Sequence, residues 1–137
     1  MTIPTQVTRD LTVTTTPTQS DAQLLVQLAQ LGQAMGIDRG SALLWKHRPE
    51  GGLTFEQYEA IYPTDSGDAV AILNVLKWHE TVGTLVKQGL LDRGLVLDWL
   101  WVAGGWELCR SIALGQRAEL GVQEMWENFE ALAASQT

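Results

Sequence analysis

With 137 residues the chain fits a single domain long enough to bury a core without staples, and at 45% hydrophobic and 18% charged residues it is not a disordered composition. A net charge of −7, from 9 Lys and Arg against 16 Asp and Glu, argues against a phosphate-gripping nucleic-acid surface and against a polybasic lipid contact. The lone cysteine, Cys109, leaves no internal disulfide and fits a reducing cytoplasm, the expected localisation.

In chain order, residues 1–19 form a Thr-rich segment with Pro4 and Pro17 and almost no charge. It lacks the apolar centre of a secretory signal. Its β-branched stretch from Gln6 to Thr16 has no evident partner strand, so it reads as a flexible or extended arm. The remaining residues, 20–137, read as one helical domain. Ser20 and Gln23 have capping-box spacing ahead of Leu24, Leu25, Leu28 and Leu31, which recur at helical intervals up to Gly36. Asp38 can cap a second helix through Leu43, Leu44 and Trp45, ended by Pro49, Gly51 and Gly52. Thr54 and Gln57 form another capping box before Phe55, Tyr58 and Ile61, with Pro63 as the stop.

Asp65 or Ser66 opens the longest predicted helix, from about Asp68 to Gln88, with Gly89 as its C-terminal stop. Asp92 can cap a helix through Leu95, Leu97, Trp99 and Trp101 that is apolar on nearly every side, which predicts a central or interfacial position. Gly104 and Gly105 are expected to interrupt it before a further helix from Trp106 to about Leu120. After Gly121, a last amphipathic helix carries Val122, Met125, Trp126, Phe129 and Leu132. The longest apolar run, Leu95 to Trp106, is broken by Asp98 and the glycines and falls short of the roughly 20 residues of a membrane span. The expected fold is therefore all-α: an irregular, soluble bundle of five to seven helices behind the Thr-rich arm.

Counting about 100° per residue puts Ala69, Ile72, Leu73, Leu76 and Gly83 on one arc of the long helix, with Glu80 inside it and Asn74, Lys77, Thr81, Thr84 and Gln88 opposite. A carboxylate on a core-facing stripe needs a partner. On the Trp106 helix, Trp106, Cys109, Ala113 and Leu120 share an arc with Arg110 and Arg117 at its edge. This predicts an interhelical ion-pair network of Glu80 with Arg110 or Arg117, and with Glu107 and Glu130 as further acids, because the guanidinium fork suits a carboxylate. Such a network either fixes the packing alone or, with Trp106, lines a pocket for a small polar or anionic ligand.

Signals for chemistry are sparse. His79 and Glu80 are helix neighbours pointing about 100° apart, not a dyad, and no zinc-protease spacing exists because His47 is the other histidine. A dimetal bundle site needs Glu-x-x-His pairs, whereas Glu56 precedes Glu59 and Glu124 precedes Glu127. Cys109 reads as an inert core thiol. Gly51-Gly52 and Gly104-Gly105 lack a phosphate-loop pattern. No catalytic residue, metal or cofactor is thus expected. Trp99, Trp101, Trp126 and Phe129 are candidates for an oligomer interface.

The pieces Trp78-His79-Glu80-Thr81-Val82-Gly83, Gly89-Leu90-Leu91-Asp92, Trp106-Glu107, Arg117 and Glu127-Asn128-Phe129-Glu130-Ala131-Leu132-Ala133 occur in that order. Over about Asp65 to Ala134 they resemble a bacterial family, domain-of-unknown-function family 4760. The resemblance implies a helical domain with Glu80, Arg117 and the Glu127–Glu130 segment as typical positions, and it brings no activity. Many members of that family look membrane-anchored near the N-terminus, where this sequence departs with its Thr-rich arm.

Two functions follow from these features. The first is a non-enzymatic interaction or regulatory module that self-associates and meets protein partners but not nucleic acid. The second is a small-ligand protein using Glu80, Arg110, Arg117 and Trp106. An enzyme acting through His79, Glu80 or Cys109 ranks behind both.

Overall fold

Thr18 starts the first helix rather than Ser20. Its hydroxyl accepts the Asp21 N–H at 3.2 Å, and the Asp21 carboxylate accepts the Thr18 N–H at 2.7 Å, closing a capping box two residues upstream of the expected one. The structure, a computed structural model, describes residues 16–136. The expectation of an arm falls mostly on residues outside that range. Helix α1 spans Gln19–Met35 and stops at Gly36, whose φ of 72° lets the chain turn sharply into α2, Ile37–Lys46. Asp38 lies in the first turn of α2 and Gly36 takes the cap position.

A short 3₁₀ turn, Arg48–Glu50, leads to α3, Phe55–Ile61, which carries the Thr54/Gln57 capping box as read from the sequence. Ser66 caps α4, Gly67–Lys87, through the Ala69 N–H. Asp92 caps α5, Arg93–Trp99. Its backbone N–H also donates to the second oxygen of Asp21 at 3.0 Å, tying the start of α5 to the start of α1. The Thr18 and Asp92 N–H groups on this carboxylate hold Asp21 below the usual Asp range.

The next helix, α6, runs Val102–Leu120, and α7 runs Glu127–Ala134. The fold is all-α, with seven α-helices and no strand among the described residues. No helix there is long and apolar enough to cross a membrane.

The α5–α6 boundary departs from expectation. The chain breaks at Leu100 and Trp101, and Gly104 and Gly105 sit inside α6. A Cβ on Gly104 would stand 2.4 Å from the Trp101 ring, and one on Gly105 would stand 3.3 Å from His79 Nε2. The two glycines serve close approach, not a helix break. Nor is α5 central: only Val96 within it is buried, while Trp99 and Leu97 pack against the core from its edge.

Helix α4 is the axis of the bundle. Ile72, Leu76 and Val82 are wholly buried, and Trp78 nearly so. Its buried arc is wider than one amphipathic stripe because α2, α1 and α7 all pack on it. Asn74 and Thr84, expected in solvent, are drawn into these contacts. Asn74 donates to the Met35 carbonyl at 3.0 Å, and Thr84 accepts from Asn128 at 3.0 Å.

The backbones come closest at two glycines. A Cβ on Gly40 would meet the Ala71 carbonyl oxygen at 2.2 Å, and one on Gly83 the Asn128 carbonyl oxygen at 2.5 Å. Both neighbours are main chain and cannot swing aside. Gly83→Ala is therefore expected to push α7 off α4 and to cost about 1–3 kcal/mol, read as a lower midpoint in thermal melts. An unchanged midpoint would mean that α7 tolerates the shift.

Candidate functional site

Of the pieces of sequence that carry the family resemblance, Glu80, Gly83, Trp106, Arg117, Asn128, Phe129 and Glu130 meet around the start of α7, whereas Asp92 lies against Asp21 and Glu107 lines a cleft with Trp45 and Arg48. The chain between Gly121 and Glu127 turns back on α6, and Trp126 adopts φ 65°, left-handed and uncommon for a residue with a Cβ. Three polar contacts hold it there. Arg117 Nε donates to the Met125 carbonyl at 2.7 Å, Arg117 Nη2 to Glu130 Oε1 at 2.8 Å, and the Trp126 indole N–H to Gln116 Oε1 at 2.8 Å. The Arg117 guanidinium also lies 5.8 Å from the centre of the Trp106 ring.

Glu80 faces the same turn from α4. Its Oε1 accepts the backbone N–H groups of Asn128 at 3.1 Å and Phe129 at 2.9 Å. These are unpaired donors of the first turn of α7, so the carboxylate acts as a cap supplied by another helix. The predicted pairing of Glu80 with Arg110 or Arg117 is not formed. Arg117 pairs with Glu130, and Arg110 is exposed with no ion pair among the described residues. The reason is geometric: α7 packs against both α4 and α6, so Glu80 and Arg117 each reach α7 first, while Arg110 faces away from it.

Trp106 is buried and edge-on to Phe129, with centroids 5.1 Å apart, so it is a core residue supporting this junction. Phe129 is wholly buried, and Trp99 and Trp126 are partly covered, which leaves Trp101 as the one well-exposed member of the expected interface set. Cys109 is completely buried, and desolvation pushes its thiol up to about 12.

His79 does not pair with Glu80. Its ring stacks on Phe129 at 4.5 Å and stands edge-on to Trp78. Its Nδ1 donates to the Val75 carbonyl at 2.7 Å, one helical turn back, and this fixes the tautomer that leaves Nε2 as an acceptor. Burial pushes its pKa below the usual histidine range, so the ring is neutral at neutral pH. Among the described residues, no three His, Cys, Asp or Glu side chains gather as metal ligands.

A second feature escaped the sequence reading. Trp45, at the end of α2, and Trp101, between α5 and α6, lie 6.5 Å apart, 42% and 60% exposed. Arg48 sits over Trp45 at 4.8 Å. Beside this pair, Trp45, Arg48, Gly51, Gly52, Glu107 and Leu108 line an open cleft of about 420 Å³. Arg48 and Glu107 form no ion pair with each other. The available signal was that Trp45 falls about 100° from the buried stripe of Gly40 and Leu44, leaving a large aromatic off the packed face.

A family model described as Domain of unknown function (DUF4760) matches residues 17–136, well beyond the Asp65 to Ala134 stretch on which the resemblance was read. No curated protein and no solved structure matches the chain.

Proposed function

We propose, from the premise that this chain belongs to the DUF4760 family, that it is a non-enzymatic interaction module that self-associates. The exposed Trp45–Trp101 face is its contact with a second copy. The observation that carries this reading is the pair itself: two adjoining tryptophans in water are costly unless a partner covers them, and Trp is favoured at interface centres. The flanking charges favour a copy of the same chain as that partner. Arg48 and Glu107 are opposite in sign and lie on one patch, so a twofold axis through it sets each Arg48 against the other copy's Glu107. A reducing cytoplasm suits such a module, since its one thiol is buried and takes no part in assembly. The alternative reading, an anion site of Glu80, Arg110, Arg117 and Trp106, is less favoured because Glu80 and Arg117 are engaged with α7 and Trp106 with the core.

Light scattering on the purified chain tests the proposal. An assembly is expected that Arg48→Glu and Glu107→Arg each dissociate and that the double exchange restores. A monomer at high micromolar concentration, or an assembly indifferent to all three changes, would overturn it.

A further inference from the structure

Beyond the self-association face, the interior holds a polar group with an opening in front of it. Two cavities, of about 210 and 360 Å³, share Ser41, His79 and Leu100 as walls. The smaller is bounded further by Trp45, Trp101 and the two glycines of α6, the larger by Trp78 and Trp99. The larger falls within the size range of small-molecule sites.

His79 stands where the two meet. Its Nδ1 is committed to the Val75 carbonyl, and among the described residues Nε2 has no hydrogen-bond partner. Gly105 keeps the space before Nε2 open, since a Cβ there would approach it to 3.3 Å. The Ser41 hydroxyl, half-buried, likewise makes no hydrogen bond among the described residues. The walls of the smaller cavity are mostly indole and aliphatic surface, whereas the larger also presents Gln33 and Asp38. The charged side chain among them is Asp38, exposed on α2, so nothing there recognises an anion. Flat aromatic walls favour a flat ring, and an acceptor held in a fixed tautomer favours a ligand with one O–H or N–H donor.

We propose that the smaller cavity binds a small neutral aromatic molecule bearing a single donor, of the phenol or indole class, with that donor on His79 Nε2 beside Gly105 and its ring against Leu100 and Trp101. The Ser41 hydroxyl supplies a second polar contact. The smaller cavity shares Trp45 and Trp101 as walls with the contact between copies, but the test reads His79 Nε2 directly, so the failure of one proposal is told apart from the failure of the other.

Phenol and toluene are the probes, matched in shape and differing in the donor. Each is titrated into the full chain with the imidazole nitrogens followed by ¹⁵N NMR. Phenol is expected to move the His79 Nε2 resonance and to bind about ten-fold more tightly than toluene, the worth of one hydrogen bond. His79→Phe, checked for fold by circular dichroism, is expected to lower phenol to the toluene level. If that variant does not fold, the Nε2 resonance of the unaltered protein decides. No binding of either probe, equal binding of both, or a phenol complex with an unmoved Nε2 resonance would each overturn the proposal.

Discussion

Trp78→Ala is expected to be the most damaging single truncation in the chain, lowering stability by about 3–5 kcal/mol in urea titrations. Trp78 is 1% exposed at the middle of α4, the helix on which the others pack. Its indole stands edge-on to Trp99 at 5.6 Å, and its N–H donates to the Leu28 carbonyl at 2.8 Å, which joins α4 to α1. Truncation removes the ring and its hydrogen bond to α1, and leaves a cavity that rigid helices cannot close. Trp78→Phe separates these effects. It keeps most of the apolar volume but loses the donor, so it should recover about half of the loss. A cost below about 1 kcal/mol for the alanine variant would mean that α1 and α5 collapse onto the vacated space. A domain of this size holds only about 5–15 kcal/mol in all, so the alanine variant should also show a visibly unfolded fraction near its melting range.

How far the fold could be read from the sequence follows from the range of the interactions involved. The caps at Thr54 and Asp92 and the stops at Gly36, Gly89 and Gly121 are local chemistry, settled within a few residues, and they stand where the pattern put them; of the two caps open to the long helix, Asp65 and Ser66, the structure uses Ser66. The first cap was expected at Ser20 and stands at Thr18. Asp21, which closes the Thr18 box, also receives on its second oxygen an N–H from Asp92, 71 residues away, a contact no local pattern displays. The Gly104-Gly105 pair carries the same lesson. Within its own segment it is a helix breaker, yet it lies inside α6, where Gly104 leaves room for the Trp101 ring and Gly105 faces His79 Nε2 at close range. Side-chain periodicity placed Glu80 toward the interior, and that face is right. It could not name the partner, because the partner is backbone, and a pattern of side chains says nothing about which N–H groups a distant helix leaves open.

Glu80→Ala is accordingly expected to destabilise by about 2–4 kcal/mol, although no arginine loses a partner. The loss comes from two N–H groups at the start of α7 that are left without an acceptor at a site where packing restricts water. Removal of a negative charge from the positive end of the helix adds to it. A short helix of eight residues has little stability of its own and relies on such contacts. The effect should therefore be local as well as global. Amide exchange at Asn128 and Phe129 should accelerate more than at Ile72 or Leu76 in the core of α4. Glu80→Gln separates charge from shape: its amide oxygen can still accept both N–H groups, so it should retain about half of the stability, the charge-assisted part being lost. Arg117→Ala makes the useful contrast. It releases Met125 and Glu130 on the other side of the turn and should free the Trp126 segment while the Asn128 and Phe129 amides stay protected by Glu80. If Glu80→Ala costs less than about 0.5 kcal/mol and leaves those two amides protected, the carboxylate is not the cap. In that case α7 is held by Phe129 and its apolar neighbours alone.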